Sequence, residues 1–155
     1  MTVRYAKRED MEAVNRLRRS VSELHAQGRP DIFRAGFCEE LQRHAYDAFA
    51  SEKADVIVAE IDETVCGFAL VQYIDRPASP YCCACRFYHI EEFGVDAAYR
   101  RRGVATAIME FCRREAEKKG FARLELDVWA FNAEAMKFYE AIGFRPYRFF
   151  MEQTI

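Results

Sequence analysis

Three arginines followed by glycine, valine and alanine, Arg100-Arg101-Arg102-Gly103-Val104-Ala105, form a segment whose residue types and spacing suit an anion. It lies between a strand-like run and a helix-like run. A helix start carries backbone N–H groups without intrahelical partners and roughly half a positive charge, so it attracts phosphate without any side chain. Gly103 lets the backbone approach a bulky anion, Ala105 is the next smallest choice at a second close position, and the arginines add donors that suit phosphate oxygens. The competing reading is a solvated basic turn capped by an ordinary glycine. No G-x-x-x-x-G-K-[ST] or G-x-G-x-x-G string occurs, which removes the main support for a nucleoside triphosphatase or a dinucleotide dehydrogenase, and no G-x-S-x-G elbow occurs either. Cys82 and Cys85 have the spacing of half a zinc site, but no second pair matches it. A tetrahedral site needs four ligands, so no metal is expected and Cys82, Cys83 and Cys85 read as incidental thiols at the start of a strand.

Several elements must position this turn. Thr2 to Ala6 reads as a short strand, and Met11, Val14, Leu17, Val21 and Leu24 then recur at helical spacing until Gly28-Arg29-Pro30. Phe37, Leu41, Ala45 and Phe49 mark a second helix. Asp55 to Ile61 and Val65 to Ile74 are apolar, β-branched runs around an Asp62-Glu63-Thr64 corner, an antiparallel hairpin signature. Pro77 and Pro80 close it, and Arg86 to Val95 forms a third long strand. Ala107, Ile108, Phe111, Cys112 and Ala116 give a third helix, ended by Gly120. Leu124, Leu126 and Val128 alternate with Arg123, Glu125 and Asp127, which predicts a strand from Arg123 to Trp129. Asn132 to Ile142 is helical again, and Gly143 stops it before a final strand through Met151. The expected order is βααβββαβαβ. No repeat or linker interrupts it, so residues 1–155 read as a single-domain α/β structure, a mixed central β-sheet flanked by helices.

The composition agrees with that reading. At 51% apolar and 31% charged residues the chain is typical of a soluble globular protein, and 155 residues suffice for one core. A net charge of -2 argues against a strongly basic nucleic-acid footprint, so no nucleic-acid partner is expected. There is no long uncharged apolar run, and Met1 to Asp10 is dense in charge rather than built as a signal peptide. The expectations are therefore no membrane, a cytoplasmic location and six reduced cysteines.

The anion turn resembles the signature Q/R-x-x-G-x-G/A of the GNAT superfamily of acetyl-CoA-dependent N-acetyltransferases, found at the end of a long central strand. Asn132 followed by Phe138-Tyr139-Glu140-Ala141-Ile142-Gly143-Phe144 is similar to that family's second cofactor segment, and with the element order the resemblance covers essentially the whole chain. Ala97 departs from it, since many members carry proline there. The resemblance implies acetyl-CoA as the acetyl donor. Backbone N–H groups from about Arg101 to Thr106 would hold the pyrophosphate, with the side chains of Arg100, Arg101 and Arg102 around it and Val104 and Ala105 in the turn. The strand at Phe93, Gly94 and Val95 would pair with the pantetheine amide, and Asn132 would contact the cofactor arm.

The chemistry at the thioester then sets a requirement. An alkylammonium has a pKa of roughly 10.4, so freeing its lone pair at pH 7 costs about 4.6 kcal/mol. A carboxylate on the strand facing the thioester is the natural proton acceptor. Ile90-Glu91-Glu92-Phe93 resembles the I/L-E-D-F segment of polyamine and related small-amine acetyltransferases, whose first acidic residue is linked to deprotonating the amine. That selects Glu91, with Glu92 as the fallback. Being adjacent in a strand, the two are expected to point to opposite faces. Tyr139 matches the family's tyrosine, which can protonate the departing thiolate, and a strand amide near Val95 could polarise the thioester carbonyl. His25, His44 and His89 fall in no visible catalytic grouping, although His89 shares the strand parity of Glu91. The links about His25 to Phe37 and Arg76 to Tyr81 are expected to border the acceptor groove. The acceptor expected is a small-molecule amine, with a protein α-amine or lysine second and a non-catalytic acetyl-CoA sensor as a different class. The apolar ending Arg148-Phe149-Phe150-Met151 suggests a homodimer.

Overall fold

The β-branched runs build the sheet of the computed structural model, which describes residues 1–155. Strands β1 (Thr2–Tyr5), β2 (Ala54–Ile61), β3 (Thr64–Arg76), β4 (Cys85–Val95) and β5 (Leu124–Leu126) lie side by side in that order. The first four are antiparallel, and β5 joins β4 in parallel. Asp62 and Glu63, at φ 48° and 61°, make the two-residue β2–β3 turn in the left-handed region that tight hairpins need.

Period-two alternation then gives each face its helices. Helices α1 (Met11–Gly28) and α2 (Glu39–Ala50) cover one face, packing Met11, Val14, Leu17 and Ala45 on Val56, Val58, Phe68 and Leu70. Helix α3 (Val104–Lys118) covers the other with Val104, Ile108, Cys112 and Ala116 on Ile57, Ala69, Val71 and Ile90. The short α4 (Ala133–Ala141) adds Phe138 and Tyr139 to this second face. No helix is long and apolar enough to cross a membrane.

The α/β class, the mixed sheet and the first nine elements follow the expected order, with two corrections. The strand expected from Arg123 to Trp129 is only Leu124–Leu126, because it pairs with β4 solely opposite Tyr88, His89 and Ile90. The final strand expected through Met151 is absent, and residues 144–155 carry no regular structure. Alternating apolar residues make a strand only where an edge offers a ladder, and Phe149, Phe150 and Met151 stand 75%, 83% and 90% exposed with none.

Gly67 sets how closely α3 sits on the sheet. A β-carbon there would meet Ile108 Cδ1 at 2.8 Å and Val104 Cγ1 at 3.0 Å. Gly67→Ala is expected to destabilise the fold by about 1–3 kcal/mol through overpacking. An unchanged denaturant midpoint would show that α3 has room to spare.

Candidate active site

The site grows from a split in the sheet. Beyond Ile90, β4 continues beside β3 as far as Val95 but has no partner on its β5 side, so the edge from Glu91 to Val95 is open. At the end of this edge the chain turns over Asp96, which accepts a hydrogen bond from Ala98 N–H at 3.0 Å. The Arg16 guanidinium, 2.9 Å away, and that N–H hold the Asp96 carboxyl below the usual carboxylate range. Arg101 at φ 62° and Gly103 at φ 79° then swing the chain into α3.

Gly103 stands at the N-cap of α3, where a serine or aspartate would fold its side chain over the first amides. Without that cap, six consecutive N–H groups from Arg101 to Thr106 have no backbone acceptor. A β-carbon on Gly103 would meet nothing within 4 Å. Helix α4 is the opposite case, since Asn132 Oδ1 accepts from Ala135 N–H at 3.2 Å and closes its own helix start. The turn therefore fits a diphosphate at α3, while Asn132 is engaged as a cap through its oxygen.

A β-bulge corrects the expectation for the two glutamates. Leu70 pairs with Glu92 and Val71 with Ile90, which leaves Glu91 as the extra residue of β4. An extra residue breaks the alternation. Ile90 and Phe93 face α3, whereas both Glu91 and Glu92 turn toward α1 and α2. Their surroundings then differ. Arg18, with its side chain 1% exposed, clamps Glu92 through Nε at 2.7 Å and Nη2 at 2.6 Å. The same guanidinium also reaches Asn15 Oδ1 at 2.9 Å and the Leu41 carbonyl. Glu91 is held through one oxygen only, with Gln72 Nε2 donating to Oε2 at 2.8 Å and His44 Nε2 3.1 Å from the same atom. Its Oε1 has no protein partner.

Arg18, His44 and Gln72 are partners of the two glutamates that the sequence reading missed. Arg18 carried a signal, because it falls on the buried stripe of Met11, Val14 and Leu17 and a buried guanidinium requires a carboxylate. For His44 and Gln72 no local signal exists.

Tyr139 approaches the split from the opposite face. Its ring lies 6.3 Å from Phe93 and 5.8 Å from Phe144, and burial pushes its hydroxyl up to about 12. His89 shares the face of Glu91, as parity predicted, with Nδ1 buried and unpaired and Nε2 3.9 Å from Asp127. On that side the α1–α2 link meets the segment between β5 and α4. His25 stacks on Phe33 at 5.1 Å, Phe33 meets Trp129 at 5.1 Å, and Phe131 packs over Gly28. Burial lowers the His25 imidazole, and Glu92 opposes the shift. The C-terminal segment crosses the same side, with the Tyr147 hydroxyl donating to Glu125 at 3.0 Å and Arg29 holding Glu152 at 2.7 Å. Of the Arg76 to Tyr81 link, Arg76 lies over the Phe87 ring and Tyr81 is 95% exposed. The two catalytic candidates thus lie on opposite faces of the sheet, Glu91 on the side of α1 and α2 and Tyr139 with Phe93 on the side of α3.

Known proteins share this design. Residues 19–144 match the model of the acetyltransferase (GNAT) family, and the chain belongs to that family. It is an acyltransferase, with acetyl-CoA as the acetyl donor. It is 29% identical to the L-amino acid N-acetyltransferase AaaT of Escherichia coli (strain K12), over 93% of this chain and 82% of that protein. A shorter stretch of 50 residues, 32% of this chain and 34% of the relative, is 46% identical to the [ribosomal protein bS18]-alanine N-acetyltransferase of the same organism. Among solved structures, a tetramutant of the BH1408 protein from Bacillus halodurans superposes with a TM-score of 0.94 at 28% identity, over 100% of both chains. Aminoglycoside N-acetyltransferase AAC(6')-Iy in complex with CoA has the same fold, with a TM-score of 0.74 at 17% identity over 99% of each chain.

Proposed function

We propose that the chain transfers an acetyl group from acetyl-CoA to the primary amine of a small molecule by direct attack, with Glu91 as base and Tyr139 as acid. The reading is carried by the free Oε1 of Glu91 on one side of the split and the Tyr139 hydroxyl on the other. Glu92 is set aside because Arg18 occupies both of its oxygens. The N–H groups from Arg101 to Thr106 bind the pyrophosphate, with Arg100, Arg101 and Arg102 as flanking cations, and Phe93, Gly94 and Val95 offer the open strand edge to the pantetheine amide. Asn132 orients the arm through its amide nitrogen, its oxygen being used by the helix.

In this scheme Glu91 takes a proton from the acceptor ammonium, and the freed amine attacks the thioester carbonyl. A Val95 amide polarises that carbonyl. Tyr139 gives its proton to the sulfur as the C–S bond breaks, and is reprotonated by the second proton that the acceptor nitrogen loses as it becomes an amide. The ammonium loses two protons in all and the thiol keeps one, so one is released per turnover.

The names of the relatives support a small acceptor, since AaaT is named for L-amino acids. The local likeness to the alanine acetyltransferase of a ribosomal protein keeps a protein α-amine as the second reading. The exposed Phe149, Phe150 and Met151 support a homodimer, and a concentration-independent monomer mass would remove it.

Thiol release from acetyl-CoA across a panel of amino acids, polyamines, aminoglycosides and peptide α-amines tests the reading. Turnover on a free small amine is expected; turnover on peptides alone would replace the small acceptor with a protein one. Glu91→Gln is expected to lower kcat/KM by about 10²-fold or more near neutral pH, and an unchanged profile would dismiss the base. Tyr139→Phe should slow kcat with acetyl-CoA affinity kept. Because the wild-type hydroxyl stays protonated until about 12, the rate should hold through roughly pH 10 with no alkaline fall. A fall near neutrality would assign the acid elsewhere.

A further inference from the structure

Past Gln72 the sheet has a stretch to which neither α1 nor α2 contributes a wall. Gln72 and Arg76 of β3 alternate toward the face of Leu70, and Phe87 and His89 of β4 share that face. Tyr147 and Arg148 of the C-terminal segment lie along the stretch and close a cleft of about 180 Å³. The cleft begins beside the proposed base, because Gln72 also donates to Glu91 Oε2 at 2.8 Å.

The charges of this cleft are unequally matched. Of its two carboxylates, Glu125 lies 2.5 Å from Arg123 Nε and accepts from the Tyr147 hydroxyl at 3.0 Å. Asp127 stands 3.9 Å from His89 Nε2, with its side chain 77% exposed to water. The two guanidinium groups have no such partners. Arg76 rests on the Phe87 ring at 5.0 Å and Arg148 on the Phe150 ring at 4.6 Å, and neither makes an ion pair or a hydrogen bond. Asp75, next to Arg76 in the chain, pairs with Arg86 instead. A guanidinium stacked on a ring keeps its in-plane donors, whose fork matches the oxygens of a carboxylate or a phosphate. With Glu125 neutralised by Arg123, two guanidinium charges face the single one of Asp127, and His89 Nδ1 adds a buried polar atom without a partner.

We propose that this cleft binds an oxyanion carried by the acceptor, a carboxylate or a phosphate, held by Arg76 and Arg148 while the amine of the same molecule reaches Glu91. The proposal rests on the small-amine reading and names the class of amine. Strand geometry sets the separation of the two groups. Arg76 pairs with Cys85, and its guanidinium leans back over Phe87, which pairs with Ile74. Gln72 is two residues nearer the base than Ile74, and two residues of strand span roughly 7 Å. The oxyanion therefore stands several bonds from the amine, as in an ω-amino acid, an amino acid with an acidic side chain or an aminoalkyl phosphate.

Acceptors paired so that only the oxyanion differs test the site: glutamate against glutamine, 4-aminobutyrate against its amide, and O-phosphoethanolamine against ethanolamine. The first two pairs report a carboxylate and the third a phosphate. In at least one pair kcat/KM is expected to favour the charged member by on the order of tenfold or more. Arg76→Gln and Arg148→Gln should each cut that preference severalfold, with the KM for acetyl-CoA unchanged. Arg76→Glu, an exchange at an exposed strand end, should turn the preference around, so that 1,4-diaminobutane overtakes 4-aminobutyrate. Equal kcat/KM within every pair, in an enzyme that turns over small amines, would overturn the oxyanion site and leave the small-amine reading standing. A preference that survives both Arg76→Glu and Arg148→Gln would place the oxyanion elsewhere and overturn the site as well. Turnover on peptides alone, or on no amine, would remove both readings.

Discussion

The parting of β4 from β5 after Ile90 is the constraint on which the rest of the molecule depends. A strand edge inside a protein presents N–H and C=O groups that need partners, and five residues of β4 are left without them on one side. The sheet tolerates this opening because β4 stays paired with β3 on both sides of the bulge and because Phe93 packs on Phe138 at 6.1 Å. The same opening ends at the uncapped start of α3. One geometric event therefore supplies both an extended backbone edge and a cluster of free amides along one line.

The bulge at Glu91 adds the second half of the design. It turns two neighbouring carboxylates to one face, where alternation would have separated them, and their partners then divide them. Glu92 meets a buried guanidinium with several hydrogen bonds, an arrangement that is costly to break and ties α1 to the sheet. Glu91 meets an amide and an imidazole on one oxygen and keeps the other free. In the proposed reading this inequality separates a structural carboxylate from a working one.

In the proposed reading the acceptor side is built from links rather than from the sheet. The α1–α2 link, the β5–α4 link and the C-terminal segment converge there through aromatic contacts and a few ion pairs, such as Arg29 with Glu152. Ion pairs of exposed groups contribute little stability, so this wall is held mainly by its rings. Relatives of one family with such walls can keep the donor chemistry and differ in acceptor, which accords with the range of names among those similar to this chain.

Local rules made much of this legible. Apolar period marked the helices and the three long strands, Gly103 marked an uncapped helix start, and parity placed His89 on the face of Glu91. These features depend on the residue and its near neighbours alone. The bulge, the Arg18 clamp, the approach of His44, the three-residue length of β5 and the missing last strand did not follow from the chain. Each depends on which distant segment lies alongside, since a register shift or an unpaired edge is a property of two strands. By itself the sequence determined the order of the first nine elements and the residue types available for chemistry. Only the tertiary structure decided which glutamate is free, because that rests on contacts made across 74 positions from Arg18 and 47 from His44.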